Sequence, residues 1–231
     1  MEQIGKLKIY LIGQPTFDPV EQFKERLDHD LMGYKDYSSY KDKLEFIRIN
    51  TEEGYRKLID GEQISGLVLF YDEIFSLKLL NEKLIAEGKD LMASEVRGMC
   101  AKLTREYFPQ LFDALIPMIM NKQIYFTAWT DVLPEATQLI THRLEEILHE
   151  NGIQTQTEEE SNLGMNGFYA WKGTSNLNLW PINMAKENAN YMFGRVIMHI
   201  IERIFRGEIE IKEPEQPTVK SKGTYGFKAF V

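Results

Sequence analysis

Short apolar runs of strand-forming residues alternate along this chain with stretches whose apolar residues return at helical spacing, and few architectures accept that alternation. The first run, Lys6-Leu7-Lys8-Ile9-Tyr10-Leu11-Ile12, stops at Gly13. Asp18 then suits a helix N-cap, Pro19 the first helical position, where its missing N–H has no partner to lose, and Glu21 the third. Val20, Phe23 and Leu27 follow at helical spacing. The unit returns. Leu44 to Ile49 reads as a strand, Asn50 as a cap with Glu53 after it, and Tyr55, Leu58 and Ile59 as a helical stripe closed by Gly61. The run from Ile64 to Tyr71 is the most apolar of the chain. Gln123 to Ala128 reads as a fourth strand, and Ala136, Leu139, Ile140, Leu144, Ile147 and Leu148 mark a helix stopped by Asn151-Gly152. Ile153 to Thr157 reads as a fifth, polar strand and Ile182 to Phe205 as a long terminal helix. Strands alternating with amphipathic helices predict an α/β three-layer sandwich, a parallel sheet covered on both faces.

The apolar content of the five strands predicts their order. Strands buried on both faces read as continuous apolar runs, whereas edge strands tolerate polar alternation. The first, third and fourth are the most apolar; the second and fifth carry polar residues. Edges at two and five give the order 2-1-3-4-5. Residues 72–122 are too long for one crossover helix and are expected to hold two or three, with Pro109 and Pro117 breaking the region. Residues 1–206 form the domain, and 207–231 a tail or arm that carries Tyr225, Phe227 and Phe230. The charge run Glu158-Glu159-Glu160 reads as a solvated loop.

Composition bounds the function. In 231 residues, 43% apolar and 12% aromatic content is enough for a sizeable core. The net charge of −8 and the lack of a basic patch argue against nucleic acid as a partner. A single cysteine excludes an internal disulfide and any site made of several thiolates. No apolar stretch approaches the ~20 residues of a membrane span, and the start lacks a signal peptide's blocks, so a cytoplasmic protein without membrane association is expected. Neither a nucleotide phosphate loop, a nucleophile elbow nor a zinc-protease motif occurs. His29, His142, His149 and His199 read as surface or packing residues, and Cys100 as a buried inert thiol.

In an open parallel sheet, ligands sit beyond the carboxyl ends of the strands where strand order reverses, here between the first and third. Delivered to that rim are Gly13, Gln14, Pro15, Thr16 and Phe17 after the first strand, and Tyr71, Asp72 and Glu73 after the third. Thr127, Trp129, Thr130 and Asp131 follow at the fourth, and residues 162–168 after the fifth. Aromatic, amide and hydroxyl groups together suit a stacked flat ring with hydrogen bonds at its edge. Tyr71 and Trp129 are the stacking candidates. Trp171 and Trp180 bracket a loop, 173–176, that could fold over a ligand or anchor the last helix.

Ser65-Gly66-Leu67-Val68-Leu69-Phe70-Tyr71 resembles the third strand of NAD(P)H-dependent FMN reductases, a branch of the flavodoxin-like superfamily, whose strand ends in an aromatic residue at the flavin ring. Lys122 to Thr127, preceded by Phe112 to Met120, is similar to that branch's dimer helix and following strand, with Asn121 where glycine is usual. Ala185 to Arg195, ending Met192-Phe193-Gly194-Arg195, is similar to its closing helix. The resemblance runs over residues 6–205. It implies a flavodoxin-like fold with FMN as cofactor, NAD(P)H as co-substrate and a homodimer or homotetramer. It further implies that Gly13, Gln14, Thr16 and Phe17 meet the phosphate, while Tyr71, Asp72, Thr127, Trp129, Thr130 and Asp131 lie beside the isoalloxazine. No catalytic acid or base is required, because the flavin carries the chemistry.

The phosphate loop departs from that pattern. Hydroxyls and backbone N–H groups cradle a phosphate at a helix N-terminus. Here only Gly13 and the Thr16 hydroxyl remain, Pro15 lacks a donor, and Asp18 as N-cap would occupy the donors a phosphate wants. Three readings therefore stand: an FMN-dependent oxidoreductase, a diverged binding or interaction module without FMN, and an enzyme using Asp72, Glu73 or Asp131 as acid–base groups.

Overall fold

The computed structural model describes residues 6–14, 40, 42–71, 74–75, 77–89, 91–129, 146, 149–150, 158–159, 169–170, 177–180 and 189–214. Four strands, β1 (Leu7–Ile12), β2 (Leu44–Ile49), β3 (Gly66–Tyr71) and β4 (Ile124–Trp129), pair in parallel in the order β2-β1-β3-β4. That order is the expected one, for the expected reason. All six residues of β3 are buried, whereas β2 at the edge exposes Glu45 and Arg48.

Beyond β4 the five-stranded sheet is corrected. The described residues include three more short strands, β5 (Glu158–Glu159), β6 (Tyr169–Ala170) and β7 (Leu177–Trp180). β7 pairs with β4 in parallel, β6 runs antiparallel to β7, and β5 antiparallel to β6, giving a seven-stranded sheet. The expected fifth strand, 153–157, lies outside the described residues. The glutamate run read as a loop supplies β5, and Leu177 to Trp180, just after the loop expected at 173–176, supply β7. Strands this short contain too few residues for a two-residue period to stand out in sequence, and acidic residues suit a sheet edge.

Each face of the sheet carries its own core. On one, Tyr10, Ile12, Val68, Phe70, Ile124 and Phe126 meet helices α1 (Glu52–Ile59) and α3 (Ala93–Met120), with α2 (Leu77–Ala86) packed alongside α3. On the other, Ile9, Leu11, Leu67, Leu69, Tyr71 and Tyr125 meet Ile197, Met198, Ile200, Ile201 and Ile204 of helix α4 (Ala189–Phe205). Tyr40 stacks on Phe205, ring centroids 4.9 Å apart, and so closes the amino end of that second core. Residues 182–188 of the expected terminal helix lie outside the described residues, as do most of 136–148 and the helix expected after Asp18.

Two local readings change. The cap of α1 is Thr51 rather than Asn50; its hydroxyl accepts from the Gly54 N–H at 3.2 Å. Pro109 and Pro117 do not break the third crossover, for both lie inside the single 28-residue helix α3. Each costs an intrahelical hydrogen bond and a steric clash, on the order of 3 kcal/mol. Phe108, Leu111, Phe112, Leu115 and Ile116 are buried on the same stretch, each contributing about 1.5–3 kcal/mol. The residues whose carbonyls lose a partner, Arg105 and Asp113, are exposed, so water can serve those carbonyls. Packing wins. Cys100 is buried, as expected.

At the sheet's amino edge the chain past α4 folds back onto the domain. Ile209 is buried, Lys212 N–H donates to Lys122 O at 2.8 Å, and the Ser65 hydroxyl donates to Lys212 O at 3.0 Å. Residues 215–231 lie outside the described residues. Among the described residues no helix is long and apolar enough to cross a membrane.

Gly66 starts β3 at φ +146°, and a Cβ there would lie 2.2 Å from the carbonyl oxygen of Lys8 on β1. No side chain can rotate out of that overlap, since both groups are backbone. Gly66→Ala should therefore cost more than about 4 kcal/mol, read as a collapsed urea midpoint or failure to fold. Gly98, by contrast, lies within α3 with open space at its Cβ position. Gly98→Ala should raise the unfolding free energy by roughly 0.5–1 kcal/mol in the same measurement.

Candidate functional site

Strand order reverses between β1 and β3, and in this topology that reversal makes the carboxyl ends of the two strands the expected place for a ligand. The residues that build it are placed by the register. Leu69 of β3 pairs with Thr127 of β4, and Tyr71 pairs with Trp129 at the strand ends. Trp129 pairs in turn with Trp180 of β7. Three aromatic residues thus share one row across β3, β4 and β7. The spacing of Tyr71 and Trp129 was legible in sequence. Trp180 was not placed there by the sequence reading, because a four-residue run is too short to announce a strand.

Gly13 and Gln14 follow β1 at the same edge. Gly13 has φ +110°, a left-handed conformation that glycine accepts without strain. Its N–H donates to Ile49 O at 3.1 Å, and the Gln14 side-chain amide donates to Asn50 O. Both donors are thereby committed to the end of β2, and the turn is tied to its neighbour strand. Thr16, Phe17, Asp72, Thr130 and Asp131 lie outside the described residues, so of the expected site the structure brings together Gly13, Gln14, Tyr71, Thr127 and Trp129.

Tyr71 and Thr127 are 2% and 0% exposed and face the α4 side of the sheet. Both belong to the buried interior beneath the strand ends. The Thr127 hydroxyl has no hydrogen-bond partner among the described residues. A buried hydroxyl left unsatisfied costs about 1–3 kcal/mol.

The first turns of α1 reach the same edge. Tyr55, read in sequence only as core, is fully buried and its hydroxyl donates to Ile74 O at 2.7 Å, just after β3. Burial pushes its phenol well above the usual tyrosine range. A tyrosine in an otherwise apolar stripe was the available signal, because a buried phenol needs a partner. Nearby, the Arg56 guanidinium and then the Tyr107 hydroxyl hold the Glu52 carboxyl below its ordinary value, Tyr107 donating at 2.7 Å.

No group of three or more metal-ligating side chains occurs among the described residues. A cleft of about 290 Å³ lies at the opposite, amino edge, where Lys6, Lys8, Ser65, Ile204, Glu210 and Glu213 contribute to its walls. It mixes charges of both signs and is remote from the row of aromatic residues.

The chain matches no protein-family model, no curated protein sequence and no solved structure.

The orphaned hydroxyl yields a test. Thr127→Val removes it at nearly constant shape and should stabilise the protein by about 1 kcal/mol in thermal or urea unfolding. A loss of stability instead would mean that the hydroxyl is bonded in solution.

Proposed function

We propose that the carboxyl edge of the sheet binds a flat heteroaromatic ring, and that the ring is the isoalloxazine of FMN, reduced by NAD(P)H. The protein on this reading is a flavodoxin-like NAD(P)H-dependent flavin reductase or related oxidoreductase, cytoplasmic and homodimeric or homotetrameric. The single observation that carries it is the aromatic row Tyr71, Trp129 and Trp180 at the strand ends, beside the point where strand order reverses. A bound flavin supplies hydride and electron transfer by its own chemistry; the protein's task is to position the ring and keep water from it.

The two ends of the ligand fit unequally. The ring end has aromatic residues and a buried hydroxyl. At the phosphate end, the Gly13 N–H is already given to Ile49 O and one N–H of the Gln14 amide to Asn50 O, so two donors of the turn are directed away from a phosphate. Affinity on this reading comes from the ring. The same two hydrogen bonds favour the second reading, a diverged binding or interaction module of this architecture that takes no FMN.

Titration of the purified protein with riboflavin and with FMN separates the readings. Flavin binding is expected to quench the ligand's fluorescence and retain its bands near roughly 370 and 450 nm. Riboflavin and FMN should bind within about twofold of each other, because the phosphate adds little charge-assisted bonding. Trp129→Ala should weaken both by about three- to tenfold, the worth of an aromatic stacking contact. A protein that takes up neither flavin supports the module.

A further inference from the structure

The connection after β3 is held from both sides, and the grip on its far side depends on one phenol. Tyr71, the last residue of β3, is buried and paired with β4. Ile74 is fully buried, and its carbonyl accepts from the Tyr55 hydroxyl at 2.7 Å. Phe75 then packs edge-on against Tyr55, centroids 5.6 Å apart at 81°, and edge-on against Tyr107 at 5.5 Å and 70°. Asp72 and Glu73 are the only residues between these two anchored points. Aromatic packing alone would be served equally by phenylalanine at position 55. The hydroxyl adds a bond to the backbone of the very connection that borders the candidate site.

We propose that Tyr55 is a positioning residue, whose hydroxyl fixes the β3–α2 connection at the rim of the carboxyl edge so that the site is preformed before a ligand arrives. The inference rests on the reading of that edge as the ligand site. Pre-organisation of this kind raises affinity by removing the ordering cost from the binding step. Tyr107 is the natural control. It belongs to the same aromatic group and also donates through its phenol, but its acceptor is the Glu52 side chain on α1 rather than the connection.

Hydrogen exchange by mass spectrometry on the full chain tests this without any ligand. In the wild type, the peptide covering 71–76 should exchange about as slowly as α1. In Tyr55→Phe its exchange should rise about tenfold while peptides of β3 and α3 stay within about twofold, the selectivity expected of local opening. Tyr107→Phe should leave the 71–76 peptide within about twofold of the wild type. Riboflavin affinity should fall in Tyr55→Phe by a similar factor and hold in Tyr107→Phe. The proposal is overturned if 71–76 exchanges more than a hundredfold faster than α1 in the wild type. It is equally overturned if Tyr55→Phe leaves that peptide unchanged or accelerates the whole domain alike. If the exchange pattern is as expected but the wild type binds no flavin, positioning by Tyr55 stands and the flavin reading is what fails.

Discussion

Burial of β3 on both faces is the constraint from which the rest of the molecule follows. Val68 and Phe70 point into the core under α1 and α3, while Leu67, Leu69 and Tyr71 point into the core under α4. A strand in that position cannot shift register by one residue without exchanging the contents of two cores, so its pairing is fixed strongly. Its first residue is equally constrained, because only glycine lets β3 approach the Lys8 carbonyl of β1 so closely. With β3 fixed, the rows running across it are fixed too. Tyr71 must lie level with Trp129, and Ile12 level with Phe70.

From that frame the carboxyl edge acquires its character. β3, β4 and β7 end in large aromatic residues, and the backbone just beyond β2 and β3 is tied down by side-chain donors to carbonyls: Gln14 to Asn50 and Tyr55 to Ile74. Each such bond contributes only about 1 kcal/mol net, yet each removes freedom from a segment that would otherwise be loop. Those bonds tie the described part of the edge to the neighbouring strand and helix. The amino edge is secured differently, by the returning chain at Ile209 to Lys212 and by surface ion pairs such as Lys122–Glu210, which contribute little to stability when so exposed.

The parts of this fold that were legible in sequence are those where one physical signal dominates. The four long strands announce themselves because their apolar runs are unbroken or alternate cleanly, and their order follows from which of them tolerates Glu45 and Arg48. Propensity misled where packing overrode it. Pro109 and Pro117 stand inside α3 because Phe108, Leu111 and Phe112 reward a continuous helix and the prolines leave their unbonded carbonyls toward solvent. Capping misled by one residue, since Asn50 and Thr51 are both good caps and only the backbone at Thr51 decides between them. The short strands β5 to β7 were missed because two to four residues cannot display a period. At the site, the row of Tyr71 and Trp129 was readable, Trp180 needed the register, and the commitments of Gly13 and Gln14 are tertiary facts without a local signature.

The central claim is that a flat ring sits on the aromatic row at the carboxyl edge and nowhere near the amino edge. The chain has three tryptophans, so its indole N–H signals in a two-dimensional NMR spectrum are few enough to assign by substitution. On addition of riboflavin the account predicts that the indole signals of Trp129 and Trp180 shift together with the amide of Gly13, while the amides of Gly66 and Lys122 hold still. Shifts concentrated at Gly66 and Lys122, or no shift at saturating riboflavin, would contradict it.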